Sequence, residues 1–356
     1  MSILKVDTIT NDTEAVDFTY NAKVGNGTLK KEYYEQGTEP AYPCDGALWF
    51  NTSDDTFHIY ANNAWYTTTV VAPPPLGDRG LFAGASGGSN VIQYVTIPTP
   101  GNATDFGDMT VSRSGLTGCS NGSRGVFAGG YISTFTDVID YVTIANTGNA
   151  TDFGNLTVAR DDAAGASNST RGLFAGGRDS SNLDVIDYIT IATAGNATDF
   201  GNLIAAKRGV AGTASLTRAL FMGGESANVD TIQYVTISTL GNATDFGDLL
   251  AAITAGAACT NLTRAIHAGG YDGTRSNVIQ YVTIDTTGNA TDFGDLTVGR
   301  NSAAATSNST RGIFGGGNSP TNVDVIDYVT IASTGNAADF GNLLSSTTDM
   351  GACSGN

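Results

Sequence analysis

The chain has 356 residues, of which 40% are hydrophobic and 14% charged, which excludes an intrinsically disordered protein because disorder requires low hydrophobicity and high charge. The formal net charge is −17, so polyanions are repelled and we expect no nucleic-acid partner. The sequence has no run of about 18 apolar residues and no signal-peptide pattern. We therefore expect no membrane insertion and folding in a cytoplasm.

Residues 1–72 do not repeat elsewhere in the sequence. Residues 46–66 read as a β-hairpin unit, with Leu-Trp-Phe, Phe-His-Ile-Tyr and Trp-Tyr strands joined by turns rich in Asn and Asp. Residues 73–78 begin with three consecutive prolines, which favour an extended, semi-rigid linker. The sequence therefore predicts a small β-rich N-terminal module with a spacer at its C-terminal end.

Residues 79–356 contain six copies of one unit. Each copy has a short apolar strand that begins with Arg, a β-branched strand that contains Tyr, a Gly-Asn-Ala-Thr/Ala-Asp-Phe-Gly turn leading to a third strand, and a strand of small residues. Five copies have a Gly pair after the first of these strands. The initial arginines recur at spacings of 45, 47, 47, 46 and 47 residues, at Arg79, Arg124, Arg171, Arg218, Arg264 and Arg311. Four strands in roughly 46 residues are typical of a propeller blade, so we predict an all-β, six-bladed β-propeller.

The two ends of the repeat region predict how the ring closes. The first copy comes directly after the linker and lacks the small-residue strand, whereas residues 350–356 match that strand in the other copies. We therefore expect the C-terminal strand to complete the first blade, which leaves no free sheet edge.

The repeat resembles the kelch repeat in its glycine doublet, in the Tyr of the following strand and in a later aromatic residue. That aromatic is Phe where kelch repeats usually have Trp, at Phe106, Phe153, Phe200, Phe246, Phe293 and Phe340. The resemblance implies a divergent kelch-like propeller. It says little about activity, because kelch propellers range from oxidases to adaptors.

Residues 3–18 and 46–66 resemble segments of tail-fibre and other tail proteins of bacteriophages, especially marine phages. This resemblance implies that residues 1–72 form a virion-attachment and oligomerisation module, that residues 73–78 are the linker and that residues 79–356 are the displayed head. It also implies other virion proteins as partners, a homo-oligomer with a trimer favoured, and location in the virion after assembly in the bacterial host cytoplasm.

Catalytic chemistry is weakly represented. The only histidines are His58 and His267, one in each module, so a two-His metal site cannot form within a module. His267 stands where the other copies have Phe, so we expect it in the core. We expect no enzyme activity, metal or cofactor, although a glycosidase with paired carboxylates remains open because acids are plentiful. Buried, reduced thiols are expected at Cys44, Cys119, Cys259 and Cys353, and turn caps at the repeated Asp-Phe-Gly aspartates.

The loops that differ between copies are the candidate binding surface. Because strand direction alternates within a blade, the loops after the second and fourth strands open on one face. Aromatic side chains beside Arg and Asp suit a sugar or a protein surface, although ordinary solvated loops would also vary. The candidate ligand-binding residues on this face are Tyr131, Phe135, Arg178, Asp179, Tyr271, Arg275, Arg160 and Arg300.

These features favour a structural protein of a tailed-phage virion whose propeller recognises a glycan or a protein on the host surface. Two alternatives remain at this point: a kelch-type adaptor that binds one protein, and an enzyme that degrades a glycan.

Overall fold

The computed structural model describes residues 33–36, 47–51, 56–61, 64–68, 77–225 and 229–355. The chain divides into two compact units, Met1–Val71 and Ala72–Asn356. Among the described residues, none belongs to a helix with the length and apolar character needed to cross a membrane.

The first unit contains one four-stranded sheet in the order β1 (Tyr33–Gln36), β2 (Leu48–Asn51), β3 (Thr56–Ala61) and β4 (Ala64–Thr68). Strands β2, β3 and β4 pair as antiparallel hairpins, and β1 pairs with β2 in parallel. The rings of Trp49 and His58 stack with their centroids 4.5 Å apart. Residues 3–18 and the prolines of the linker lie outside the described residues.

The second unit contains six four-stranded antiparallel sheets, which confirms the all-β, six-bladed propeller. From the innermost to the outermost strand, blades 1 to 3 are β28 (Gly351–Gly355), β5 (Arg79–Ala83), β6 (Ser89–Thr96), β7 (Thr104–Arg113); β8 (Thr117–Ser120), β9 (Arg124–Ala128), β10 (Val138–Thr143), β11 (Thr151–Asn155); β12 (Ala164–Ser167), β13 (Arg171–Ala175), β14 (Val185–Thr190), β15 (Thr198–Asn202). Blades 4 to 6 are β16 (Ala211–Ala214), β17 (Arg218–Met222), β18 (Thr231–Thr236), β19 (Thr244–Asp248); β20 (Ala257–Thr260), β21 (Arg264–Ala268), β22 (Val278–Thr283), β23 (Thr291–Asp295); β24 (Ala304–Ser307), β25 (Arg311–Gly315), β26 (Val323–Thr330), β27 (Ala338–Thr347).

The C-terminal strand closes the ring, as the sequence predicted. Strand β28 pairs antiparallel with β5, with Gly351 opposite Ala83 and Gly355 opposite Arg79. The innermost strands β28, β8, β12, β16, β20 and β24 contact one another in succession around the axis, and β24 contacts β28. Every blade therefore has a neighbour on both sides.

Each blade is held to the next by a repeated Arg–Tyr–Phe stack. In blade 2 the guanidinium of Arg124 lies 4.2 Å above the centroid of the Tyr141 ring, and Tyr141 packs edge-on against the buried Phe153 at 5.9 Å. Arg124 Nη1 also donates to the carbonyl of Ile191 in blade 3 at 2.9 Å. All six repeated arginines make equivalent cation–π contacts and donate to carbonyls of the next blade, so their role is structural.

The outer edges of the blades are also partnered. The turn segment of blade 2 pairs with the outermost strand of blade 1, since Gly148 N donates to Phe106 O at 2.8 Å and Asn149 Oδ1 accepts from Asp108 N at 3.0 Å. Equivalent Asn contacts occur at the other five joints. The Asp of this segment was expected to cap the turn, but it lies within the outermost strand, as Asp152 does in β11, and the Asn three residues earlier makes the contact. Pairing the edges protects them from association with other chains.

Side chains near the axis are matched in size between blades. The buried Cys119 faces Gly172 of the next blade, where an added Cβ would lie 2.6 Å from Cys119 Sγ. Cys119, Cys259 and Cys353 are free and buried, as expected, and burial raises the pKa of each thiol; Cys44 lies outside the described residues. His267 is a core residue, as predicted, and burial lowers its pKa to about 4, so its imidazole is neutral.

Candidate functional site

The two sets of variable loops meet on one face, as the alternation of strand direction predicted. Ser114, in the loop that enters blade 2, forms a β-bridge with Tyr131, which comes after the glycine doublet of that blade. Equivalent bridges join the pairs Asp161 and Arg178, Arg208 and Glu225, Thr254 and Tyr271, Asn301 and Asn318. In blade 1 Ser86 N donates to Thr348 O at 2.9 Å. Together these loops form a collar around the propeller axis.

The glycine doublets let the loops approach this closely. Gly129 and Gly130 have φ values of 67° and 116°, which side chains rarely adopt. A Cβ on Gly129 would lie 2.6 Å from the carbonyl oxygen of Arg160, and one on Gly130 would lie 2.8 Å from that of Ser114. The doublets are therefore structural elements of the collar.

A closed ring of backbone hydrogen bonds forms the floor of the collar. The amide N of each member donates to the carbonyl of the member before it, over distances of 2.7–3.3 Å. All six members have φ between 52° and 63°, in the left-handed region that costs non-glycine residues energy. The members are Gly115, Asp162, Gly209, Ala255, Ser302 and Asp349.

A pocket of about 490 Å³ lies above this floor. Besides the six floor residues, it is lined by Ser114, Tyr131, Asp161, Arg178, Arg208, Glu225, Thr254, Tyr271 and Asn301. We call it the axial pocket. A second cavity of about 140 Å³ shares the six floor residues and is otherwise lined by the inner strands, mainly by Gly and Ala.

Two tyrosines form opposite walls of the axial pocket. Tyr131 and Tyr271 occupy the same repeat position in blades 2 and 5, which are three blades apart in a ring of six. Their exposed fractions are 40% and 43%, so their rings remain open to a ligand. Phe135 packs edge-on against Tyr131 at a centroid distance of 5.4 Å and supports that wall.

The charged side chains of the axial pocket are partly paired. Arg178 Nε contacts Asp161 Oδ1 at 2.9 Å, and Arg208 Nη2 contacts Glu225 Oε2 at 2.8 Å. Asp162 is more loosely placed, with Oδ2 3.9 Å from Arg178 Nε. The pocket therefore contains two close ion pairs and two further carboxylates, those of Asp162 and Asp349.

Both of these further carboxylates have raised pKa values. Burial is the main cause for Asp162, and the charges of Asp161 and Asp349 add to it, which brings its pKa to about 7. Burial also raises the pKa of Asp349, against hydrogen bonds from Ser302 and Thr348 that lower it. Burial thus makes a negative charge at either position costly.

Tyr131, Tyr271 and Arg178 line the axial pocket, and Phe135 stands behind it. Two other predicted residues lie on the same face outside the pocket lining. The Oδ1 atom of Asp179 accepts from Ser181 N within its own turn at 2.9 Å. Arg275 Nε donates to Asn318 Oδ1 of the next blade at 2.8 Å.

The interpretation of Arg160 and Arg300 as ligand-binding residues was wrong. Both side chains are fully buried, and their Nη2 atoms contact Asp187 at 2.9 Å and Asp327 at 3.0 Å, respectively, in the next blade. Burial lowers the pKa of both guanidiniums, while the carboxylates oppose that shift. They stabilise joints between blades, as does Arg113 with Asp140.

The joints between blades are of two kinds, which differ in the residues at three positions of the repeat. In three joints an Arg pairs with an Asp of the next blade, and a Thr hydroxyl also donates to that Asp. In the other three the Asp is replaced by Gln93, Gln233 or Gln280, whose Oε1 atom accepts from the backbone N of Leu344, Ile204 or Leu250, respectively. In this second kind the Arg is replaced by Thr347, Lys207 or Ile253.

Sequence reasoning missed most of the pocket floor, above all Asp349. The missing signal was the alignment of the residue two positions after the buried Arg or its equivalent, which is Gly115, Asp162, Gly209, Ala255, Ser302 or Asp349 in the six copies. Small and acidic residues at one position of a repeat do not by themselves indicate a shared ring. Only the closed hydrogen-bond pattern shows that the six surround the axis.

Among the described residues no group of three or more His, Cys, Asp or Glu side chains is arranged to hold a metal ion. Comparison with known proteins found no protein-family model and no curated protein that matches this sequence.

Proposed function

We propose that this protein is a structural component of a tailed-phage virion and that its propeller is a displayed binding module. Residues 1–72 attach the chain to other virion proteins and assemble a homo-oligomer, with a trimer favoured, and the linker presents the kelch-like propeller to the host surface. The virion assignment is supported by the resemblance of residues 3–18 and 46–66 to phage tail proteins.

The observation that carries the binding role is the axial pocket. Its walls hold two half-exposed tyrosines among acidic and basic side chains, and such mixtures are typical of recognition sites. A six-fold scaffold with an irregular centre presents one ligand site per chain. The ligand we favour is a glycan or a protein on the surface of the bacterial host.

Binding is tested by applying the purified full-length chain to a glycan array and to cells of the bacterial host. We expect retention by at least one glycan or by the cells, and loss of retention in the double variant Tyr131→Ala/Tyr271→Ala. Absence of retention in both assays would contradict the binding role.

The attachment role has a separate test. Sedimentation of the full-length chain should show a trimer, and a variant that lacks residues 1–71 should sediment as a monomer. Antibody labelling of intact particles should place the protein on the virion. A full-length monomer would contradict the oligomer, and unlabelled particles would contradict the virion assignment.

A second candidate function is hydrolysis of a glycan. It is favoured by the presence in one pocket of Asp162, with a pKa of about 7, and Asp161, which is paired with Arg178. Glycosidases use a pair of carboxyl groups, and the one that acts as the acid has a raised pKa. Analysis of bound glycans for shortened products separates the two functions, because a binding protein leaves its ligand intact.

A further inference from the structure

The charge of the axial pocket specifies more than a general binding surface. Four acidic side chains line it, and only two basic ones. The two basic side chains are already committed, Arg178 to Asp161 at 2.9 Å and Arg208 to Glu225 at 2.8 Å. A neutral ligand would leave Asp162 with only the longer 3.9 Å contact to Arg178, and Asp349 with only hydrogen bonds from Ser302 and Thr348, whereas a cation would pair with both carboxylates.

The two remaining carboxylates belong to one part of the floor. Asp162 N donates to Gly115 O at 2.9 Å, and Gly115 N donates to Asp349 O at 2.8 Å, so both aspartates are neighbours of Gly115 in the ring. A Cβ on Gly115 would lie 3.2 Å from Asp162 Oδ1. The absence of a side chain at Gly115 therefore leaves room for a ligand atom beside Asp162 Oδ1, at the floor position that adjoins both aspartates in the ring.

The walls complete a site for a cationic ring. Tyr131 and Tyr271 present aromatic side chains from opposite blades, and aromatic faces attract cations as well as packing against sugar rings. The lining also contains the hydroxyl and amide groups of Ser114, Thr254, Asn301 and Ser302. These groups can exchange hydrogen bonds with a ligand rich in hydroxyls, which favours a sugar over a lysine side chain.

We propose that the axial pocket binds an amino sugar through its free ammonium group, which lies between Asp162 and Asp349, with the sugar ring framed by Tyr131 and Tyr271. This inference rests on the proposed binding function and specifies its ligand class. An acetylated amino sugar lacks the charge and should be rejected, because neither carboxylate would then gain a cationic partner.

The test is calorimetric titration of the full-length chain at pH 7 with three probes: a chitosan oligosaccharide, the matching N-acetylated chitin oligosaccharide, and a lysine-containing peptide of equal charge. The chitosan probe should bind at least about tenfold more tightly than the other two. Asp162→Asn and Asp349→Asn should each weaken its binding about tenfold or more. Asp105→Asn, which removes the same charge from an exposed site in β7, is the matched control and should change little.

The outcomes separate this inference from the proposed function. Tighter binding of the chitin oligosaccharide, or unchanged affinity in both floor variants, would overturn the ammonium assignment. Tighter binding of the peptide would overturn the sugar. Absence of chitosan binding would also overturn the inference, while retention of neutral glycans in the array would leave the binding function standing.

Discussion

The joints between blades and the collar around the axial pocket are built from neighbouring positions of the same repeat, yet they vary in different ways. At the joints each change in one blade is matched in the next. Arg160 occurs with Thr157 and Asp187, whereas Lys207 occurs with Ile204 and Gln233. The variation therefore preserves the interface.

In the collar, several residues that differ between copies have no compensating residue in the neighbouring blade. Tyr131 and Tyr271 face the open pocket, and Asp162 and Asp349 bring charge into a partly buried site that raises their pKa values. Compensated variation indicates a structural constraint, and uncompensated variation at a costly site indicates a ligand. This difference separates the scaffold from the candidate site better than variability alone.

Removal of residues 351–356 opens the ring at blade 1 and has the largest expected effect. Without β28, blade 1 loses its inner strand and blades 6 and 2 lose their shared neighbour. The loss should be comparable with the whole stability of a domain, about 5–15 kcal/mol. Urea denaturation followed by circular dichroism should show no cooperative transition, and an unchanged midpoint would refute closure by this strand.

Breaking a single joint should lower the stability by less than opening the ring does, but still by several kcal/mol. Asp187→Ala leaves the buried Arg160 without its counter-ion and should cost about 3–5 kcal/mol. The triple variant Thr157→Ile/Arg160→Lys/Asp187→Gln copies the joint between blades 3 and 4 and should recover most of this loss in urea denaturation. If the triple variant were no more stable than Asp187→Ala, the two joints would not be interchangeable.

Much of this scaffold could be predicted from the sequence, and the reasons are physical. Because each copy of the repeat contains four β-strands, the six copies predict six blades. The small-residue strand that is absent from the first copy and present at residues 350–356 predicts which strand closes the ring. The alternation of strand direction identifies the loop face. Arg160 and Arg300 were misassigned because an Arg that varies between copies and lies in a loop resembles a ligand-binding residue. The signal that identifies it as structural is an Asp about 27 residues later in the sequence, which is present only where the Arg is present.

The packing near the axis offers a milder perturbation of a joint. Gly172→Ala would place a Cβ 2.6 Å from Cys119 Sγ, and such overpacking costs about 1–3 kcal/mol. Adding Cys119→Ala recreates the pair Ala166 and Ala219 found at the following joint and should restore the urea midpoint. Full stability of Gly172→Ala alone would show that the joint is loosely packed.

Asp162→Asn perturbs the collar and should stabilise the protein at high pH. Because the folded-state pKa of Asp162 is raised from 3.8 to about 7, the favourable contribution of its protonated form is lost as pH rises from 4 through 7. Asn is free of that loss, so the variant should be about 1–2 kcal/mol more stable than the wild type at pH 8, after allowance for partial exposure. The difference in stability between the variant and the wild type should vanish near pH 4 in urea denaturation. A difference independent of pH would contradict the raised pKa of Asp162.

The central claim, that the collar binds while the joints hold the fold, is tested most directly by measuring stability and host-cell adsorption on the same full-length variants. Tyr131→Ala/Tyr271→Ala should change stability by less than about 0.5 kcal/mol per site and weaken adsorption about thirtyfold or more. Phe153→Ala, in a blade core, should cost about 3–5 kcal/mol. Leu240→Ala, at another exposed apolar side chain, should alter neither quantity. Normal adsorption by the tyrosine variant would contradict the account and place recognition outside the axial pocket.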